Sequence, residues 1–138
     1  MTTATIDPTG ADLKRIASTV GADTPVTMLN LLRFREQARY PDDTEPCSGR
    51  DAYARYSKLA LAHVRAVGGE PVLMADVLGR FIGPDGEDWD EMLLVRYPSL
   101  SAFLSMIGDA DYQAATVHRT AALADARLIV TRTPSSGD

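Results

Sequence analysis

Cysteine is almost missing from this sequence of 138 residues: Cys47 stands alone, so an intramolecular disulfide and a cysteine-based metal cluster are both excluded. Cys47 lies in the polar stretch CSGRD, where an incidental exposed thiol is expected. No apolar stretch approaches the length of a membrane span, and the start of the chain, MTTATIDPTGADLKR, has no apolar core of the kind a secretory signal carries. The protein is therefore expected to be cytoplasmic. Positive charge is scarce and scattered, with 14 Lys plus Arg against 19 Asp plus Glu and a formal net charge of -5. Nucleic acid and acidic membrane surfaces both demand clustered positive charge, so neither is an expected partner. A glycine-rich phosphate loop, HExxH, a Cys pair and G-x-S-x-G are all missing, which removes support for nucleotide-dependent, zinc-dependent and serine-hydrolase chemistry. An enzyme built on this chain is expected to need no cofactor and no metal.

What is present suffices for one folded domain spanning residues 1–138, since the composition is 45% hydrophobic and 24% charged and the length supports one core but not two. Thr9 followed by Asp12 resembles a capping box, and Leu13, Ile16, Ala17 and Val20 continue at helical spacing, which predicts an N-terminal helix over 9–20. VTMLNLLRF, 26–34, predicts a first strand. Residues 35–49 are polar and aperiodic, a long loop that could act as a lid over a site; its acids Asp42, Asp43 and Glu45 fit no metal-loop spacing and read as solvated surface. A helix is predicted over 51–67, stopped by Gly68 and Gly69, with Tyr53, Tyr56, Ala60, His63, Val64 and Val67 on one face. Strands are predicted at 71–83 and 87–98 around a GPDG turn, then a helix capped by Ser99, a further helix over 111–125, a last strand at 126–133 and a frayed tail at 134–138. Leaving aside the N-terminal helix, the order is βαββαβ. That is the α+β, ferredoxin-like arrangement of a four-stranded antiparallel sheet with helices on one face.

A sheet with helices on one side and water on the other alternates apolar and polar residues. The first strand does not, because Val26, Met28 and Leu32 fall on one face and Leu29 and Leu31 on the other; Met92, Leu93, Leu94 and Val95 repeat the pattern. Something must cover the second face, and a second copy in a two-fold homodimer does so most simply.

VTMLNLLRF, GRDAYARY at 49–56, the glycine pair at 68–69, WDEMLLVRYPS at 89–99 and DADYQAATVHRTAAL at 109–123 together resemble the DUF1330 family. The resemblance implies a ferredoxin-like protomer that forms a dimeric α/β barrel, in a superfamily that also holds cofactor-free monooxygenases, lactone isomerases, polyketide cyclases, EthD-like proteins and haem-handling proteins. It also implies a small-molecule pocket between sheet and helices, and it implies no particular reaction.

Several residues are candidates for lining such a pocket. Asn30 shares a strand face with Met28 and Leu32, so its amide either bonds within the protein or orients a ligand carbonyl or hydroxyl. His63 and Tyr56 are candidate catalytic groups, the imidazole as a base and Tyr53 or Tyr56 as donors to a developing oxyanion; a satisfied core histidine is the plainer alternative. Tyr112 and Arg119, seven apart, share a helical face with Ala115, and an arginine there calls for an acid or an anionic ligand. An alternative face carrying Ala114, Val117 and Ala121 would leave both exposed. Trp89 could wall the pocket or simply pack at a strand end. Asp76 and Arg80, with Arg96 across the hairpin, read as a cross-strand charge ladder. The functional readings are a small-molecule enzyme performing proton transfer, isomerisation or oxygenation of a carbonyl or aromatic metabolite, a non-catalytic ligand binder or sensor, and a structural dimerisation module.

Overall fold

Thr9 opens the first helix with a reciprocal pair of bonds: its side chain accepts from the Asp12 N–H at 3.0 Å, and the Asp12 carboxylate accepts from the Thr9 N–H at 3.2 Å. In the computed structural model, which describes residues 4–42 and 44–134, this helix is α1 (Gly10–Thr19). There follow β1 (Val26–Phe34), α2 (Gly49–Ala66), β2 (Glu70–Asp76), β3 (Glu91–Tyr97), α3 (Leu100–Ile107), α4 (Ala110–Ala122) and β4 (Leu123–Thr131). Asp43 and the tail from 135 to 138, part of the stretch expected to fray, lie outside the described residues.

The strands form one sheet in the order β2-β3-β1-β4 with every pairing antiparallel. This is the ferredoxin-like α+β topology expected from the sequence. Helix α2 begins at Gly49, two residues earlier than its apolar periodicity suggests, because Ser48 rather than Asp51 caps it, accepting from the Asp51 N–H at 3.0 Å. It ends where Gly68 turns to φ 83° and the Gly69 N–H closes back on the Val64 carbonyl at 2.8 Å.

The hairpin is shorter than expected. β2 stops at Asp76 and β3 starts at Glu91; a last bond from the Val77 N–H to the Asp90 carbonyl at 3.0 Å closes the hairpin, and Asp90 also holds β1, its N–H donating to the Leu32 carbonyl at 2.8 Å and its carboxylate accepting from the Phe34 N–H at 2.9 Å. With no partner strand beyond Asp76, Leu78, Phe81 and Ile82 are left at 98%, 100% and 91% exposure. Arg80 is thus not part of a strand ladder; it ties the excursion to itself through Asp85 and Asp88, while Arg96 pairs with Glu70 at 2.7 Å.

Side-chain alternation divides the sheet cleanly. Val26, Met28, Val95 and Tyr97 join α2, α3 and α4 in one apolar cluster, and Leu32 and Ala126 join Ala52, Tyr53, Ala122 and Leu123 in a second. The opposite face carries Leu29, Leu31, Met92 and Leu94, flanked by Leu73 and Ile129, and no residue of that set enters either cluster. Cys47, expected to be exposed, is half-buried and packs against the second cluster.

One junction holds the layers in place. The Arg35 N–H donates to the Ala122 carbonyl at 2.8 Å and the Arg35 carbonyl accepts from the Gly49 N–H at 3.1 Å, which joins the ends of β1 and α4 to the start of α2. A side chain at Gly49 has no room, because its Cβ would stand 2.1 Å from the Arg35 carbonyl oxygen and 2.7 Å from that of Ala122. Gly49→Ala is expected to cost roughly 3 kcal/mol, at the upper end of overpacking, whereas Gly10→Ala, with nothing within 4 Å of its Cβ, is expected to stay within about 0.5 kcal/mol of the parent. Urea denaturation of the two variants checks this, and similar midpoints for both would show that the junction yields.

Candidate functional site

Between the two apolar clusters runs a seam. Its floor is the row Leu93, Asn30 and Leu128, aligned across β3, β1 and β4 on the face that carries Met28 and Leu32. Leu93 and Asn30 are only half-buried and Leu128 keeps 41% of its surface, whereas Met28 and Val95 in the row on one side and Leu32 and Ala126 in the row on the other are buried. The face of Asn30 is therefore the helix side. Its amide nitrogen donates to the Leu93 carbonyl at 3.2 Å and, more weakly, to that of Met28 at 3.4 Å. Among the described residues its carbonyl oxygen accepts nothing.

The seam is spanned by an aromatic ladder. Phe34 and Tyr53 have ring centres 5.3 Å apart, Tyr53 and Tyr56 5.3 Å, Tyr56 and Tyr112 6.3 Å, and Tyr112 and His63 5.9 Å. Tyr56 packs against both clusters, and its hydroxyl lies 2.7 Å from that of Tyr112. Burial pushes the Tyr53 and Tyr56 phenols far above their ordinary range, with neighbouring tyrosines adding to the effect at Tyr56. Both therefore remain hydroxyls, able to donate, throughout the physiological range. His63 touches this ladder only through Tyr112 and makes no hydrogen bond among the described residues.

Helix α4 buries Tyr112, Ala115, Arg119 and Ala122, so of the two faces open to it, the one carrying Tyr112 and Arg119 turns inward. Arg119 keeps 8% of its surface. Its Nη1 donates to the Ile6 carbonyl at 2.5 Å and stands 3.6 Å from the half-exposed Asp7 carboxylate. Those partners come from the segment before α1. The Thr5 N–H and Arg127 hold that segment through the Asp125 carboxylate, at 2.9 and 2.8 Å, and the Ala126 N–H donates to the Thr5 carbonyl at 2.7 Å. Against its burial, these bonds keep the Asp125 carboxyl below its ordinary range.

Trp89 is not brought to the seam. It lies between Arg127 and Arg33, whose guanidinium carbons are 4.9 and 5.5 Å from its ring centre, and both arginines belong to the opposite sheet face. A tryptophan here packs on cations at a strand end, since the shortened hairpin leaves no strand to carry it inward. The outward Arg55 and the loop residue Tyr40 form a separate contact with His118, whose Nδ1 is 2.6 Å from the Tyr40 hydroxyl. This bond, with the Arg39 N–H on the Ala121 carbonyl at 2.9 Å, docks the 35–48 loop against α4.

Glu91, passed over in the sequence, sits on the helix side of β3 beside Leu32 and directly across from Asp76. Burial, and to a lesser degree the Asp76 charge, raise its carboxyl above the usual range, with Arg50 opposing. The Tyr53 hydroxyl feels both Glu91 and Arg119. The signal available beforehand was its position two residues from Leu93, on the inward parity of β3. Ile6 and Asp7 had no such signal.

The fold is that of a ferredoxin-like α+β protein, with polar side chains of β1, α2 and α4 along the boundary between its two apolar clusters. The model of the family described as "Domain of unknown function (DUF1330)" matches residues 47–133, and the chain belongs to that family. The crystal structure of methylated RPA0582 protein has a TM-score of 0.89 with 36% identity, covering 99% of this chain and 100% of that one. That of the RPA0582 protein of unknown function from Rhodopseudomonas palustris has a TM-score of 0.87 with 37% identity, covering 96% and 99%. A dimeric protein of unknown function and ferredoxin-like fold from Bacteroides fragilis NCTC 9343 has a TM-score of 0.51 with 12% identity over 79% of this chain and 96% of its own, a likeness of fold alone. No curated protein matches the chain. Among the described residues no helix is long and apolar enough to cross a membrane.

The two carboxylates are expected to show opposite pH dependence. A raised Glu91 contributes fully below the ordinary glutamate range and loses that contribution as the pH climbs through its folded value, so ionised Glu91 facing Asp76 is a burden at neutral pH. Glu91→Gln is expected to gain about 0.2–1 kcal/mol at pH 7 and nothing at about pH 4. Asp125→Asn is expected to lose stability at pH 7, with the deficit closing as acid protonates the parent. Denaturant titrations at both pH values test the pair, and a Glu91→Gln gain that does not change with pH would contradict the assignment.

Proposed function

We propose that this protein is a homodimeric small-molecule binder whose ligand occupies the seam between the two apolar clusters. One observation carries the reading. The Asn30 carbonyl oxygen, the Tyr53 hydroxyl and the Nε and Nη2 groups of Arg119 find no partner among the described residues, yet Arg35 Nε is the one side-chain nitrogen or oxygen there that is both sealed from solvent and unpartnered. The seam groups are therefore within reach of water, even though Tyr53 and Arg119 keep only 5% and 8% of their surface. Groups that reach water yet have no protein partner are free to exchange that water for a ligand's polar atoms. A carbonyl or hydroxyl on a small, partly apolar molecule matches them: Tyr53 and Arg119 donate, Asn30 accepts, and Leu93, Leu128 and the aromatic ladder enclose the rest.

As an enzyme, the same seam would serve proton transfer, isomerisation or oxygenation of a carbonyl or aromatic metabolite, with Tyr56 as donor and His63 as base. Tyr112 stands between His63 and Tyr56, which favours binding over that catalytic reading. The apolar face of Leu29, Leu31, Leu73, Met92, Leu94 and Ile129 supports the second copy, two sheets closing face to face into an α/β barrel, and the docked 35–48 loop would act as the wall of each site.

A thermal-shift screen of small carbonyl and aromatic metabolites tests the ligand. A compound at 100 times its dissociation constant adds about 2.7 kcal/mol to stability, and Asn30→Leu and Tyr53→Phe are expected to remove the gain; hits that survive in both variants would sink the seam as the site. Sedimentation is expected to give a dimer at micromolar concentration and a monomer for Leu94→Asp, and a monomeric parent would refute the paired sheets.

A further inference from the structure

A second site adjoins the seam at Phe34, where β1 ends. The sealed and unpartnered Nε belongs to Arg35, whose backbone is clamped by the bonds to Ala122 and Gly49. Arg35 also forms no ion pair within 4.0 Å among the described residues. Its Nε–H is sealed without a partner, while the two Nη groups, also without a protein partner among the described residues, reach solvent and present the outer edge of the fork to an incoming acceptor.

Two open clefts of about 400 and 350 Å³ meet at this residue, sharing Phe34, Arg35 and Glu36. The first runs on to Arg39 and the second to Arg50 and Asp90. Of the seam residues only Phe34, the end ring of the aromatic ladder, lines these clefts. Arg50 lies over the Phe34 ring at 4.8 Å, and neither Arg39 nor Arg50 has an ion pair among the described residues. The acids nearby form no ion pair with them: the Asp90 carboxylate accepts from the Phe34 N–H at 2.9 Å, Glu36 pairs with none of the three within 4.0 Å, and Glu91 acts on Arg50 only from a distance. In a chain of net charge -5, the clefts set three guanidinium groups against the carboxylates of Glu36 and Asp90 beside one aromatic ring, a local excess of positive charge.

We propose that this double cleft binds a small organic carboxylate, its two oxygens engaging Arg35 and its apolar body resting on Phe34 beneath Arg50. A carboxylate matches the fork bidentately. An apolar body accounts for the ring in the wall, which a bare inorganic anion would not use.

Isothermal titration of the full chain with sodium benzoate, and separately with inorganic phosphate at matched ionic strength, tests the proposal. Saturable benzoate binding is expected, at least about tenfold weaker in Arg35→Gln and several-fold weaker in Arg50→Gln, an exposed side chain whose loss leaves the fold intact should the first variant fail to fold. Arg65→Gln, on the outer face of α2, is expected to bind benzoate as the parent does. The assignment is overturned if neither probe binds, if phosphate binds and benzoate does not, if Arg65→Gln weakens binding as much as Arg50→Gln, or if only Asn30→Leu abolishes it. That last result would move the anion to the seam.

Discussion

The architecture depends on a contact between backbones. Where Gly49 meets the carbonyls of Arg35 and Ala122, the end of β1, the first turn of α2 and the last turn of α4 approach more closely than any side chain permits. The hydrogen bonds there are ordinary in strength, but they fix a distance, and that distance sets the height of the helices above the sheet. With the helices pinned at this end and packed tightly around Met28, Val95 and Leu100 at the other, the middle row of the sheet is left incompletely covered. The seam is what remains between two well-closed regions.

That middle row explains why one asparagine sits in an apolar strand. A leucine at position 30 would let the two clusters merge into a single core. Asn30 satisfies its amide nitrogen on neighbouring backbone, and its oxygen has no partner among the described residues, so a polar side chain stands where the two clusters meet. Tyr53, Tyr56 and Tyr112 bridge those parts through ring contacts and one hydroxyl pair, which fills space while keeping polar atoms at the boundary.

Most of the topology was legible in the sequence, because periodicity and caps are local signals. VTMLNLLRF as a strand, the inward Tyr53 and Val64 of α2, and the Thr9 and Ser99 caps all follow from side chains within a turn or two of each other. The inward direction of Tyr112 and Arg119 was legible only as one of two faces, since small residues populate both sides of α4. The hairpin ends were misplaced because the pairing closes at the Val77–Asp90 bond, Arg80 folds the chain beyond it onto Asp85 and Asp88, and Asp90 is also held by β1, a contact 56 residues distant. Trp89 went with them. The partners of Arg119 were beyond reach for the same reason: the pairing with Ile6 spans 113 residues, and nothing about an isoleucine before a helix announces that its carbonyl will meet a guanidinium.

The segment before α1 therefore does more than precede a helix. Thr5 is bonded along β4, Ile6 packs on the second cluster, and Ile6 and Asp7 together close over Arg119. Anyone preparing this protein handles that region first, because affinity tags and trimmed starts are placed at the amino end by habit. A short deletion reaching Asp7 would uncover a buried cation and open one side of the seam, and a bulky fusion could have the same effect without removing a residue. Differences in behaviour between two preparations would then originate at this edge of the seam, far in sequence from any residue a survey of the strands and helices would single out.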